Sequence, residues 1–177
     1  MKVVLHICCG VCAAGAADVL LKEGHRVTGY FYNPNIYPEE EYQLRLEAAR
    51  RTAQHLGFGL VEGKYDPEYW TPAVQAMGGE HEGGARCSIC YRIRLERAFG
   101  FMQETWADAF TSTLTISPHK PALEINRIGA QVGGTSFMAR DFKKKDGFKK
   151  AVALAKSWDI YRQHYCGCVY SLQAGGR

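Results

Sequence analysis

The chain has 177 residues, of which 46% are hydrophobic, 12% aromatic and 23% charged, a balance that suits one domain with a sizeable core and excludes a disordered chain. No run approaches the roughly 20 consecutive apolar residues of a membrane span, and Val3 to Ile7 is too short for a signal-peptide core, so a cytoplasmic protein without membrane partners is expected. The formal charge of +4 permits a polyanionic partner without demanding one.

Val3 to Ile7 reads as a buried strand, followed by a cysteine loop and a helix over Ala13 to Glu23 that closes at Gly24. Val27 to Tyr32 is a second strand ending in the turn-forming run Asn33-Pro34-Asn35-Ile36-Tyr37-Pro38. Pro38 and the glutamates 39 to 41 then suit the first turn of a helix reaching about Leu56. Gly59 to Gly63 is expected as a third strand and Tyr65 to Met77 as a short helical stretch marked by Pro67 and Pro72. The glycine-rich stretch Gly78 to Gly84 is a loop that delivers the next cysteines. Ser88 to Glu104 reads as helix, Ala109 to Leu114 as a fourth strand, Ala122 to Val132 as helix, Ser136 to Ala139 as a fifth strand and Lys149 to Trp158 as a last helix, before a Cys166-Gly167-Cys168 turn. Alternating strands and helices predict a doubly wound, mostly parallel α/β sheet in a single domain over 1–177.

Seven cysteines fall into Cys8-Cys9, Cys12, Cys87 with Cys90, and Cys166 with Cys168. The first group follows a strand and opens a helix, where ligands gather in doubly wound sheets and where the helix dipole favours a thiolate. Cys87 and Cys90 stand three apart, a chelating spacing. Seven thiols exceed what one four-coordinate metal can use, so a cluster plus a second metal is expected, four ligands and three. Spacing alone does not separate zinc from iron and sulfur.

The blocks His6-Ile7-Cys8-Cys9-Gly10-Val11-Cys12, Tyr30 to Ile36, Arg86 to Cys90, Thr111 to Lys120, Asp141 to Lys145 and Tyr161 to Cys168 resemble, in order and spacing, the QueH family of epoxyqueuosine reductases. The resemblance spans Val3 to Ser171. It departs at Gly10-Val11, where the family commonly has Ala-Pro. It implies a nucleotide-hydrolase-like α/β fold related to PP-loop (HUP) enzymes, a four-iron four-sulfur cluster and a neighbouring iron. It also implies a substrate, epoxyqueuosine at the wobble position of a tRNA anticodon, reduced to queuosine by electrons from a donor the sequence does not identify.

For that chemistry Cys87, Cys90 and members of the Cys8-Cys9 and Cys166-Cys168 pairs are expected to divide the two metals. Asp141 is a candidate oxygen ligand to the second iron and His119 a candidate proton donor. His6, inside a strand, reads as a satisfied core histidine. Tyr32, Asn33 and Asn35 are candidates for holding the modified base, and Tyr161, Arg162 and Tyr165 for stacking on anticodon bases. Lys143, Lys144 and Lys145, with Arg140, Lys149 and Lys150, form a basic run suited to phosphates. Two rival readings are an ATP-dependent PP-loop enzyme, against which the turn after the first strand lacks a phosphate loop, and a non-catalytic iron-sulfur carrier or zinc-stabilised RNA-binding module.

Overall fold

The computed structural model describes residues 1–175. Four strands, β1 (Lys2–His6), β2 (Arg26–Phe31), β3 (Gly59–Glu62) and β4 (Ala109–Ser112), form one fully parallel sheet in the order β3-β2-β1-β4. β1 therefore lies between β2 and β4, with Val3 opposite both Val27 and Ala109. Side chains alternate across the pleat. Val3, Leu5 and Phe31 point into one core, and Val4, Tyr30 and Phe110 into the other.

Helices cover both faces. On the first lie α1 (Gly10–Lys22), α2 (Glu39–Leu56) and α6 (Gly147–Ser157); on the second lie α3 (Pro67–Gln75), α4 (Ala85–Glu104) and α5 (Ala122–Gly133). A short α7 (Val169–Gln173) follows the last cysteine. α1 and α6 approach closely at Gly15, where an added Cβ would come within 2.7 Å of the Ala151 methyl. Among the described residues no helix is long and apolar enough to cross a membrane.

Several expected boundaries shift, each for a local reason. α1 begins at Gly10 rather than Ala13, because the Cys9 sulfur accepts the Cys12 amide at 3.4 Å and caps the helix three residues early. α4 begins at Ala85, which places Cys87 inside the helix together with Cys90. β4 ends at Ser112 because its hydroxyl accepts the Leu114 amide and turns the chain into a 3-10 turn over Thr113–Ile116. The expected fifth strand over Ser136 to Ala139 does not form. Gly134 sits at φ +54° in a 3-10 turn, Phe137 packs its ring against Gly129 of α5, and a single bridge from Phe137 to Phe110 is all the pairing that remains.

Candidate metal centre

Strand order reverses between β1 and β4, so their carboxyl ends open a crevice at a topological switch point, where ligands bind in doubly wound sheets. Cys8 and Cys9 leave β1 at that crevice. The Cys8 amide donates to Thr113 Oγ1 at 3.1 Å, and the Thr113 hydroxyl donates to Cys8 Sγ at 3.3 Å, tying the two strand ends together through the first thiol. The sulfurs of Cys8, Cys9 and Cys12 lie within 4.8 Å of one another.

Beneath them His6 is wholly buried. Its Nε2 meets the Tyr32 carbonyl at 3.0 Å and its Nδ1 meets Ser112 Oγ at 2.9 Å. A carbonyl only accepts, so Nε2 carries the proton and Nδ1 accepts from Ser112, whose oxygen is already taking the Leu114 amide. Burial, with Arg94 adding to it, pushes the imidazole pKa down to about 3. A group held neutral in the fold and free to protonate in the unfolded chain makes stability fall with pH below the unfolded value of about 6.5. Denaturant midpoints measured from pH 7 to pH 4 should therefore drop more steeply for the native protein than for His6→Gln, the imidazole adding at most about 1.4 kcal/mol per pH unit.

The remaining cysteines come from elsewhere in the chain. Cys87 and Cys90 sit in the first turns of α4, and the Gly83 amide of the glycine-rich loop donates to Cys87 Sγ at 3.2 Å. Burial raises both thiols, Cys90 up to about 11, and the neighbouring Cys166 and Cys168 push in the same direction, so the two cysteine pairs share one neighbourhood. Arg45 of α2 brings the second pair in: its guanidinium donates to the Cys166 carbonyl at 2.9 Å and the Tyr165 carbonyl at 3.1 Å, while its Nε pairs with Glu41 at 2.7 Å. Glu41 accepts the Tyr161 hydroxyl at 2.7 Å. Gly167, at φ +128°, is required between the two cysteines, since a Cβ there would stand 2.9 Å from Arg45 Nη1.

A cavity of about 400 Å³ opens over these sulfurs, with Cys8, Cys12 and Cys166 on its wall. Its charge is positive, from Arg45, Arg94, Lys120 and Arg162. Hydrogen bonds with Cys12 and Cys9 hold the Cys8 thiol well below the usual range against the opposing effect of burial, and Arg94 and Lys120 add to the lowering. Cys12 moves the other way, raised by its bonds to Cys8 and Cys9 and by burial. The bond to Cys12 pulls Cys9 down, but Cys8 and burial outweigh it and push Cys9 up to about 12. Lys120 donates to Cys166 Sγ at 3.4 Å; burial works against its ammonium, and the thiols of Cys166 and Cys8 with Tyr91 more than offset it. Gln163 donates to Cys9 Sγ at 3.1 Å.

The other expected site residues divide. His119 and Arg162 are on the cavity wall, Arg162 with its guanidinium 5.9 Å from the Phe148 ring, and Tyr165 lines it too. Tyr161 stands behind them on Glu41. Tyr32 is buried in the second core with its hydroxyl on Asp66 at 2.9 Å, and Asn33 bridges Arg94 at 2.6 Å and the Ile7 carbonyl at 2.9 Å; neither lines the cavity, because both are spent holding the end of β2. Asn35 is buried near Gly167 with Oδ1 unpartnered. Asp141 also lies off the cavity wall, accepting the Lys143 amide at 3.3 Å and pairing with its ammonium at 3.1 Å, while Lys144 and Lys145 are exposed on the turn before α6. Lys120 and Gln163 fall within two of the blocks already singled out but have no role assigned there, and Glu41, Arg45 and Arg94 carry no motif of their own. The available signal was spacing: Glu41 and Arg45 are four apart, and Arg94 follows Cys90 by four on the same helix face.

A family model described as epoxyqueuosine reductase QueH matches residues 3–174. Curated proteins of that description similar to this chain include one from Streptococcus pyogenes serotype M1, 35% identical over 99% of this chain and 72% of its own length. Another, from Haemophilus influenzae, is 34% identical over 97% of this chain and 72% of its own length. A third, from Thermotoga maritima, is 35% identical over 96% and 90%. Among solved structures, a predicted subunit of tRNA methyltransferase from Methanocaldococcus jannaschii superposes with a TM-score of 0.59 at 15% identity, covering 86% of this chain and 76% of its own. NMN synthetase from Francisella tularensis gives 0.54 at 14% identity, covering 94% and 67%. These two share the α/β fold of this chain.

Proposed function

The chain belongs to the epoxyqueuosine reductase QueH family, and from that premise we propose that its seven thiols hold a four-iron four-sulfur cluster and a further iron, beside which the epoxide of epoxyqueuosine in a tRNA anticodon is reduced. The observation that carries this reading is the gathering of thiols from distant segments: Cys8, Cys12 and Cys166 line one positively charged cavity, and Cys87 and Cys90 neighbour Cys166 and Cys168 behind it. The donor set fits such a group. Three sulfurs lie within 4.8 Å, further thiols adjoin, and cations offset the charge that thiolate ligands bring. Cys87 and Cys90, with members of the Cys8-Cys9 and Cys166-Cys168 pairs, would hold the two metals between them. When bound, the centre supplies electrons one at a time and an iron with an open position to polarise the epoxide oxygen.

The net change is the breaking of two carbon–oxygen bonds and the formation of a carbon–carbon double bond. Two electrons and two protons are taken up, and the oxygen leaves as water. The protein's own groups serve the oxygen and the substrate. Lys120 and Arg162 place positive charge on the cavity wall where an alkoxide would develop, and His119, with His164 on the same wall, is placed to pass a proton. Phe148 and Tyr165, each beside an arginine, offer ring faces for unpaired bases at the cavity mouth.

The exposed lysines 144, 145, 149 and 150 continue from Phe148 and would take the tRNA phosphates. Replacing Lys144, Lys145 and Lys149 by alanine is expected to weaken tRNA binding at every salt concentration and to flatten the slope of log affinity against log salt by about one for each phosphate no longer neutralised. Binding isotherms across a salt series would show it. The function itself is tested by anaerobic incubation of epoxyqueuosine-containing tRNA with iron-reconstituted protein and a chemical reductant, followed by nucleoside mass spectrometry. Conversion to queuosine is expected; full iron loading with no conversion would defeat the reading and favour an electron carrier.

A further inference from the structure

Arg94 stands apart from the other cations at the site. It is 3% exposed, and the sulfurs of Cys90, Cys8 and Cys166, on three separate segments, all favour its charge. Its Nη2 donates to Asn33 Oδ1 at 2.6 Å, and the Asn33 amide in turn donates to the Ile7 carbonyl at 2.9 Å, immediately before Cys8. Through that chain α4, which carries Cys87 and Cys90, fixes the turn that presents Cys8. Its Nε–H is buried and meets no acceptor in good hydrogen-bond geometry among the described residues, while the Cys90 sulfur lies beside the guanidinium. A buried guanidinium with a donor to spare is costly unless a strong acceptor meets it.

We infer that Arg94 is a positioning residue that joins the two sets of thiols into one centre, offsetting the negative charge of the loaded site and presenting its Nε–H to sulfur. The inference rests on the metal reading given above. A thiolate-ligated centre is net anionic and becomes more so on reduction, so a buried positive charge beside it favours both loading and electron uptake. Lysine would supply the charge without the fork, and glutamine could keep a donor toward Asn33 without the charge.

The test compares native protein, Arg94→Gln and Arg94→Lys, purified anaerobically. Iron and acid-labile sulfide per chain, the midpoint potential from a redox titration followed by electron paramagnetic resonance, and cobalt(II) titration of the apoprotein are measured, with circular dichroism to check the fold. In Arg94→Gln the iron content should fall, the midpoint of the iron that remains should move to more negative potential, and cobalt affinity should weaken by about tenfold. Arg94→Lys should recover iron content and part of the midpoint. A folded Arg94→Gln with native iron, an unmoved midpoint and native cobalt affinity would reduce Arg94 to a strut for Asn33 and overturn the inference. If Arg94→Gln does not fold, Arg94→Lys decides by the same readings, native values for both midpoint and cobalt affinity counting against a role for the fork. Native protein that takes up no iron or sulfide would instead defeat the metal reading, and the cobalt titration would then judge Arg94 alone.

Discussion

Cys8→Ala is expected to lose at least about 100-fold in turnover of epoxyqueuosine while the protein remains folded. The expectation comes from where this thiol stands. Cys8 is half-buried on the cavity wall, at the carboxyl end of β1, and it is the member of the triad held most readily as thiolate. It is only partly buried, at the edge of both cores, so its loss removes a proposed ligand while disturbing the packing less than the loss of a fully buried side chain would. Cys9 differs: it is 1% exposed, packs in the first core and caps α1 through the Cys12 amide, so Cys9→Ala should cost about 1 kcal/mol of stability as well as metal. Iron per chain, thermal midpoint and turnover measured side by side separate the cases. Cys8→Ala with native iron content and native turnover would remove this thiol from the centre.

The second large effect is on stability. Arg45→Met should destabilise the protein by about 3 to 5 kcal/mol, the usual cost of removing one partner of a buried ion pair. Arg45 is 2% exposed and meets Glu41, Cys166 and Tyr165 at once. Without it the Glu41 carboxylate keeps the Tyr161 hydroxyl but loses its cation, and two carbonyls lose this donor. The segment holding Cys166 is then tied to α2 more weakly, so metal content should fall in step. Glu41→Gln combined with Arg45→Met should recover part of the stability, because no unpaired charge is left; urea unfolding of the single and double variants gives the coupling directly. Full additivity of the two substitutions would show that the pair does not act as a unit.

The sheet was legible in the sequence because each strand is a short apolar run and each helix between them has a clear stop. What was not legible were boundaries set by side chains acting on the backbone. A cysteine sulfur caps α1 and the Ser112 hydroxyl ends β4, and both override the apolar pattern from which the ends were read. Ser136 to Ala139 has strand-forming residues, but the 3-10 turn at Gly134 runs into Ser136 and leaves a single bridge at Phe137. At the site the cysteines announce themselves, since reduced thiols in such number serve few other ends. The cations do not: an arginine at the site and an arginine on the surface look alike in sequence, and only burial tells Arg94, at 3% exposed, from Arg97 one turn later, whose side chain is 53% exposed. Tyr32 and Asn33 mislead for the converse reason. A strand's carboxyl end is where ligands gather, and it is also where the chain must be turned, and these two side chains are occupied with the turn.

The distance along the chain from Cys8 to Cys168, 160 residues, has a bearing on biosynthesis. At the usual pace of translation, about 5 to 20 residues per second, the first three thiols leave the ribosome roughly 8 to 30 seconds before the last one. During that interval the nascent protein carries the triad without the C-terminal pair, and Arg45 has no carbonyls from that segment to hold. The closing of residues 165–168 onto Arg45 is therefore a step that waits for Cys166 and Cys168 to emerge, long after α2 has been made.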